Sequence, residues 1–428
     1  MTEDFLQYLW KFKKFKFSDL KTTNNESIIL QHTGWHNELH SGPDFFDARL
    51  IIEGQKWAGT IEVHLTSGDW YVHNHENDPA YDNVILHVVW EHDVDIFRKD
   101  NTVIPTLELK QYVSQDILSN YKELFYKGEK KQIACKKELK GIPDFILSGW
   151  QERLYLERLE SKTVLISELL KESANDWEVV LFKMLAKNFG LKTNGEAFLS
   201  IANSINFSIL RKCINRLDLI EALFFGQADL LDYEMNDAYA MHLNNEYAYI
   251  KNKFKLNNTG VLPVQFFRLR PSNFPTIRLA QLAMLYFKNK NLFQDVIRFQ
   301  TPEKFYELFK VGVSNFWTNH YTFNKESKTV NKNISKSFID LLLINTIIPI
   351  KFVYQRSIGH ESNEEVFDMI TQISSEKNSI IDNFTALQTP IENAMHSQAM
   401  IQLKTIYCDK NACLRCEIGN FLLNKSNI

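Results

Sequence analysis

Residues 42 to 64 read GPDFFDARLIIEGQKWAGTIEVH, with one acid, Asp44, behind a Gly-Pro pair and Glu62-x-His64 at the end of a second apolar run. In extended strands Glu62 and His64 share a face, while Ile61, Val63 and Leu65 take the other. Two carboxylates on neighbouring strands are the hard oxygen ligands that Mg²⁺ or Mn²⁺ accepts beside a phosphate oxygen. A side chain two residues past the second acid can orient an attacking water and offset charge at phosphorus. Asp44 and Glu62 are therefore candidate ligands for Mg²⁺ or Mn²⁺. With His64 they form the candidate catalytic set for phosphodiester hydrolysis.

The hairpin resembles that of the PD-(D/E)xK nucleases, in which an acid follows Pro on one strand and acid-x-Lys lies on the next. The resemblance implies a restriction-endonuclease-like sheet and a nucleic-acid substrate. The chain departs from that pattern at His64, which stands in the Lys position and, as an imidazole, is largely neutral near pH 7.

Strand register decides whether the acids meet. A two-residue turn at Glu53-Gly54 puts Phe46, Ala48, Leu50 and Ile52 on one face with Trp57, Gly59 and Ile61. Asp44 then falls opposite Val63, on the wrong side from Glu62. A three-residue turn, or a bulge near Gly59, would bring Asp44 opposite His64. Asp47 is the reserve acid, and Glu38 in WHNELH a further one from the preceding segment.

Five histidines, His64, His73, His75, His87 and His92, fall within one short stretch. His73 and His75 share a face if extended, and with Asp69 they make a zinc or manganese site chemically feasible, or contact phosphate beside the carboxylates. His87 lies inside an apolar run and reads as a core histidine. A literal Glu108-Leu109-Lys110, with Asp93 or Asp95 upstream, is a rival site.

Near the C-terminus, Cys408, Cys413 and Cys416 are spaced C-x4-C-x2-C. Three thiolates need a fourth ligand for a closed tetrahedral site, and Cys135 is the natural candidate; four would suit Zn²⁺ or an iron–sulfur cluster. Cys213, in the helical pattern ILRKCINRL, reads as core. Arg268, Arg270 and Arg278, beside Phe267 and Phe274, are candidates for phosphate binding or for bracing carboxylates. KFKKFKF, residues 11 to 17, alternates Lys with Phe in a way that either tracks a phosphate backbone or gives an element one wet face.

The elements that must hold these residues change character along the chain. SIILQHTG, FDARLIIEGQKW, GTIEVHLTSGDW, NVILHVVWEHD and TVIPTLELK read as strands. From about residue 113 apolar residues recur at three-and-four spacing, as in GWQERLYLERLESKTVLISELLKES. The expected fold is α+β: a small mixed-sheet domain over 1–128, a Lys-rich connector over 129–145, and a long, mostly α-helical domain over 146–428 that carries the terminal cysteines. FNKESKTVNKNISKS, 323 to 337, reads as a mobile loop. With 49 basic and 52 acidic residues the net charge is -3, so nucleic acid would have to meet a local patch. No run reads as a membrane span or signal-peptide core, and the odd cysteine count argues against a secreted disulfide framework, so a cytoplasmic protein with no membrane partner is expected.

The segments GPDFFDARL, GTIEVHLTSGDWYVHNH, AYDNVILHVVW, WQERLYLERLESK, RPSNFPTIRLAQLA, FWTNHY, LLLINTIIP and YCDKNACLRCEIG resemble those of an uncharacterised domain-of-unknown-function family common in Bacteroidetes. That likeness implies no activity. Three functions remain open: a metal-dependent nuclease, a noncatalytic nucleic-acid or protein interaction module on the same scaffold, and a histidine-metal hydrolase of small phosphoesters.

Overall fold

The computed structural model describes residues 1–38, 40–126, 133–231, 237–360 and 364–425. It is α+β, a mixed sheet followed by a long helical region. The chain divides into two compact units: Met1–Trp150 with Leu403–Ile428, and Gln151–Gln402. The C-terminal cysteine segment therefore groups with the sheet, where the sequence placed it in the helical domain. Residues 127–132, which include the first four of the Lys-rich connector, lie outside the described residues.

Helix α1 (Glu3–Lys11) opens the first unit and buries Phe5, Leu6, Tyr8, Leu9 and Trp10. Strands β1 (Leu20–Lys21), β2 (Ser27–His32), β3 (Trp35–His36), β4 (Phe45–Ile52), β5 (Gln55–Thr66), β6 (Val84–Glu91) and β7 (Thr106–Glu108) make one sheet. Its order is β1-β2-β4-β5-β6-β7, with β3 also pairing with β4. The β4–β5 hairpin is antiparallel, whereas β6 runs parallel to β5 and β7 parallel to β6. A parallel neighbour requires a crossover. Helix α2 (Asp69–Val72) and two short 3₁₀ turns, His75–Asn77 and Pro79–Tyr81, lie along it. β6 is VILHVVWE with its first six residues buried, which is why it reads as a continuous apolar run. The terminal segment joins this unit through Tyr8, whose hydroxyl donates to Asn420 Oδ1 at 2.7 Å and accepts from Asn424 Nδ2 at 3.0 Å.

The second unit is helical, and two of its features correct sequence expectations. Residues Lys336–Ser357 form a helical stretch of 22 residues whose most apolar 18-residue window has a mean hydropathy of 1.6, long and apolar enough to cross a membrane, where the sequence reads as having no such run. Two-thirds of its most apolar window is buried inside the protein. Lys351 within it donates to Ile297 O and Phe299 O, each at 2.9 Å, and pairs with Glu365 at 2.7 Å. Those contacts make it a core helix whose cation is satisfied by carbonyls. The segment 323–337, expected to be mobile, contains the edge strand Lys325–Glu326 and the buried Lys332, whose ammonium donates to Trp317 O at 2.5 Å and His320 O at 2.7 Å.

Glu221, in the helix Leu217–Gln227, is fully buried in the same unit. Its Oε2 accepts from Tyr239 Oη at 2.6 Å and Trp317 Nε1 at 3.2 Å, with Ser314 Oγ at 3.4 Å. Arg278 is buried as well, donating to Gln281 Oε1 and Asn273 Oδ1 with its guanidinium over Phe338. A guanidinium so committed braces its own helix and is withdrawn from any phosphate; Arg268 and Arg270 remain exposed.

Candidate metal and catalytic site

The hairpin turn is the two-residue one: Ile52 pairs with Gln55, Leu50 with Trp57 and Ala48 with Gly59. Beyond that the register shifts, and Phe45 pairs with Ile61. Phe46 and Asp47 together oppose Thr60, with Asp47 in the left-handed region at φ 53°. Carried one residue on, the shifted register sets Asp44 abreast of Glu62. The irregularity therefore lies at Asp47 on β4, not near Gly59 on β5, and it brings Asp44 opposite Glu62 instead of Val63 or His64. Gly59 serves a different contact: a Cβ there would meet Asn83 O and Ile85 Cγ2 at 2.6 Å, so glycine lets the start of β6 come close.

The two acids bind each other's strands. The Asp44 backbone N–H donates to Glu62 Oε2 at 3.1 Å, and the Val63 N–H donates to Asp44 Oδ2 at 3.1 Å. Gln7 on α1 donates its amide to Asp44 Oδ1 at 2.8 Å. Burial, and for Asp44 the charge of Glu62, pushes both carboxyls well above the usual range. Glu3, one turn before Gln7, is also raised by burial and lies in the field of His73 and Asp69.

The parallel pairing sets Glu62 beside His87, and His87 beside Thr106, so acid and imidazole form one row across β4, β5 and β6. His64 Nδ1 lies 2.9 Å from His87 Nε2, a contact with room for one proton. With that proton on His64 Nδ1, His64 Nε2 turns its lone pair toward His73 Nδ1 at 3.1 Å and Glu62 Oε1 at 3.4 Å. His75 Nε2 lies 3.4 Å from the same Glu62 oxygen, buried and without a hydrogen-bond partner. Ligand atoms of His64, His73 and His75 all lie within 4.8 Å of one another. Burial, then the neighbouring His75 and His73, presses the His64 pKa down to about 3. It is therefore a neutral imidazole that offers a lone pair, and cannot supply the positive charge of the Lys it stands in for.

Three imidazole nitrogens with carboxylate oxygens fit Zn²⁺, an ion of borderline softness, or the harder but nitrogen-tolerant Mn²⁺, better than Mg²⁺ with its preference for an all-oxygen shell. The orphaned His75 Nε2 is the observation that fits such an ion, since a buried imidazole nitrogen otherwise goes unsatisfied. The second such group among the described residues, Asp218, His242 and Glu246, is already bridged by Arg216.

Asp69 accepts from the Thr66 N–H and stays within the field of His64 and Glu3, whereas the other candidates separate: Asp47 is exposed and pairs with Arg49, and Glu38 pairs with Lys11 at 2.8 Å and with Arg415. The rival acid Glu108 accepts from the His92 N–H, and Lys110 pairs with Glu91. Sequence reasoning missed Glu3, Gln7 and His87 as neighbours of the acids. Parity along β6 could have flagged His87; nothing local marks the other two.

The family described as "Protein of unknown function (DUF2851)" matches residues 3–379. The chain belongs to it. The matched span contains both acids, all the clustered histidines and Cys135, and stops before Cys408. No curated protein and no solved structure matches the chain. The family's description names no chemistry, so the site's geometry has to carry the functional reading.

Asp47 gives a direct test of that geometry. The left-handed conformation is tolerated by Asp, Asn and Gly and costs a β-branched residue roughly 1–2 kcal/mol. Asp47→Gly is expected to leave the melting temperature and the site unchanged. Asp47→Val should lower stability by about that amount and weaken Mn²⁺ binding as the strand regains its regular register. Equal behaviour of the two variants in thermal melts and metal titrations would remove the bulge from the argument.

Proposed function

We propose that the protein is a divalent-metal-dependent phosphodiester hydrolase acting on nucleic acid. The observation that carries this reading is the convergence of Asp44 and Glu62 with His64, His73 and His75, achieved by one bulge in an otherwise regular hairpin. Glu62 and the imidazoles would hold the ion, with Asp44 beside them. A bound ion would supply Lewis acidity and lower the pKa of a coordinated water. The chain's own residues do the positioning: Gln7 and the Val63 N–H fix Asp44, the Asp44 N–H fixes Glu62, and His87 orients His64.

A cavity of about 210 Å³ adjoins His75, bounded by Trp70, Tyr81, Phe97, Arg98 and Lys99. Its aromatic walls suit a stacked ring, while the rim also carries Glu76, Asp82 and Asp100, with Lys99 paired to Asp82 and Arg98 donating to the Val84 and Val103 carbonyls, so a phosphate would have to lie toward the metal donors. The small volume favours a second reading, a phosphoester of low molecular mass on the same donors.

Metal-stripped protein resupplied with Mn²⁺, Zn²⁺ or Mg²⁺ separates these readings, assayed on single- and double-stranded DNA, RNA and bis(p-nitrophenyl) phosphate. The expected result is polymer cleavage that depends on Mn²⁺ or Zn²⁺. Turnover of the small ester alone would support the second reading, and no metal-dependent turnover of any substrate would leave a noncatalytic interaction module.

A further inference from the structure

Four of the chain's five cysteines come from two distant stretches of sequence and lie near one another in the first unit, with no three of their sulfurs inside 4.8 Å, a wider spread than the ligands of a single tetrahedral zinc and one that leaves room for a cluster. Cys135 is buried, and the sulfurs of Cys416, Cys408 and Cys413 all lie within electrostatic reach of it, although about 270 residues separate it from them in sequence. All five cysteines are unbridged. The fifth, Cys213, is buried in a helix of the other unit.

The backbone around the terminal three is built as two tight turns facing a short helix. Asn411 N–H donates to Cys408 O at 3.2 Å and Ala412 N–H to Tyr407 O at 2.9 Å, which folds the chain back after Cys408. Cys416 N–H donates to Cys413 O at 3.2 Å, and Cys416 then caps the helix Glu417–Leu423. The Cys416 sulfur makes no capping hydrogen bond to that helix, but the N–H groups of Ile418 and Gly419 and the indole of Trp150 stand near it. N–H donors near a sulfur favour its thiolate over its neutral thiol. Gly419 is required here, since a Cβ would stand 2.0 Å from Cys413 O, so the helix start presses directly onto the Cys413 turn.

We propose that Cys135, Cys408, Cys413 and Cys416 form one four-thiolate centre for a thiophilic metal, a zinc ion or an iron–sulfur cluster, separate from the histidine-carboxylate site. Each thiol gives up its proton as the metal binds, and the Ile418, Gly419 and Trp150 donors offset the charge left on Cys416. The centre is structural: it ties the Cys135 segment to the chain's last turns, two parts of one unit whose covalent connection runs through the whole of the other.

The test uses full-length protein purified without oxygen, with zinc and iron measured and the visible spectrum recorded, beside Cys413→Ser, Cys213→Ser and His64→Ala. The expected result is about one zinc per chain at this centre, or about four irons with sulfide and visible absorption that bleaches on reduction. Cys413→Ser should lose that metal, whereas Cys213→Ser and His64→Ala should keep it. If Cys413→Ser does not fold, titration of the wild type with a mercurial decides: metal should leave in step with thiol modification and the melting temperature should fall. Wild type carrying neither metal, Cys413→Ser retaining it in full, or disulfides among the four cysteines would each overturn the proposal.

Discussion

Replacing Glu62 with Gln is expected to lower kcat/KM for metal-dependent hydrolysis by about 10³-fold, the scale of losing a charged group at the reacting centre. The amide preserves volume and can still accept from the Asp44 N–H. What it loses is the oxygen able to ionise against a bound ion, 3.4 Å from both His64 Nε2 and His75 Nε2. Metal affinity should fall together with rate, because the same oxygen serves both. Glu38→Gln is the matched control: its carboxylate is occupied by Lys11 and Arg415, and its removal should change rate by less than about threefold. Steady-state kinetics with calorimetric Mn²⁺ titration reads both quantities. A Glu62→Gln enzyme within a few-fold of wild type would end the metal-site reading.

The largest effect on stability is expected at Glu221. Glu221→Ala strands the donors of Tyr239, Trp317 and Ser314 in the core and opens a cavity, a loss of about 3 kcal/mol. Glu221→Gln keeps an acceptor and should cost much less. The pair also predicts a pH dependence. Burial raises the Glu221 carboxyl to about 7 from an ordinary 4.5. Between those values the folded chain retains a proton that the unfolded chain releases, so wild-type stability falls as pH rises across that window. The Gln variant lacks this slope, and the difference between the two proteins in denaturant melts from pH 4.5 to 7 isolates it from the histidines. Parallel curves would show that Glu221 is ionised throughout.

The strands, the two-residue turn and the change to helical period were legible because each rests on local pattern. Alternation marked β5, and Glu53-Gly54 marked the turn. The bulge was not legible, since Asp47 tolerates both extended and left-handed backbone and nothing beside it selects one. The reason for Gly59 was hidden too, because the residue it must approach, Asn83, belongs to the connection entering a parallel strand. His87 sat in an apolar run, and only its pairing with Glu62 across two parallel strands gives it a role beyond filling the core. Gln7 and Glu3 reach the acids from an N-terminal helix that shares no motif with the hairpin. Lys336–Ser357 misled in the opposite sense: Lys351 interrupts its apolar composition, and the acceptors that make this tolerable lie some fifty residues earlier in the chain.

The discontinuity of the first unit sets an order of events during synthesis. A ribosome completes Gln151–Gln402 as one uninterrupted stretch, which can collapse on its own core as it emerges. The sheet made before it still lacks the segment that completes its unit. Tyr8 must wait for Asn420 and Asn424, and the Cys135 side chain for the segment 408–416 near it, until those stretches have been translated. A nascent chain stalled short of residue 403 would thus carry both acids and all the clustered histidines on a scaffold whose closing segment does not yet exist.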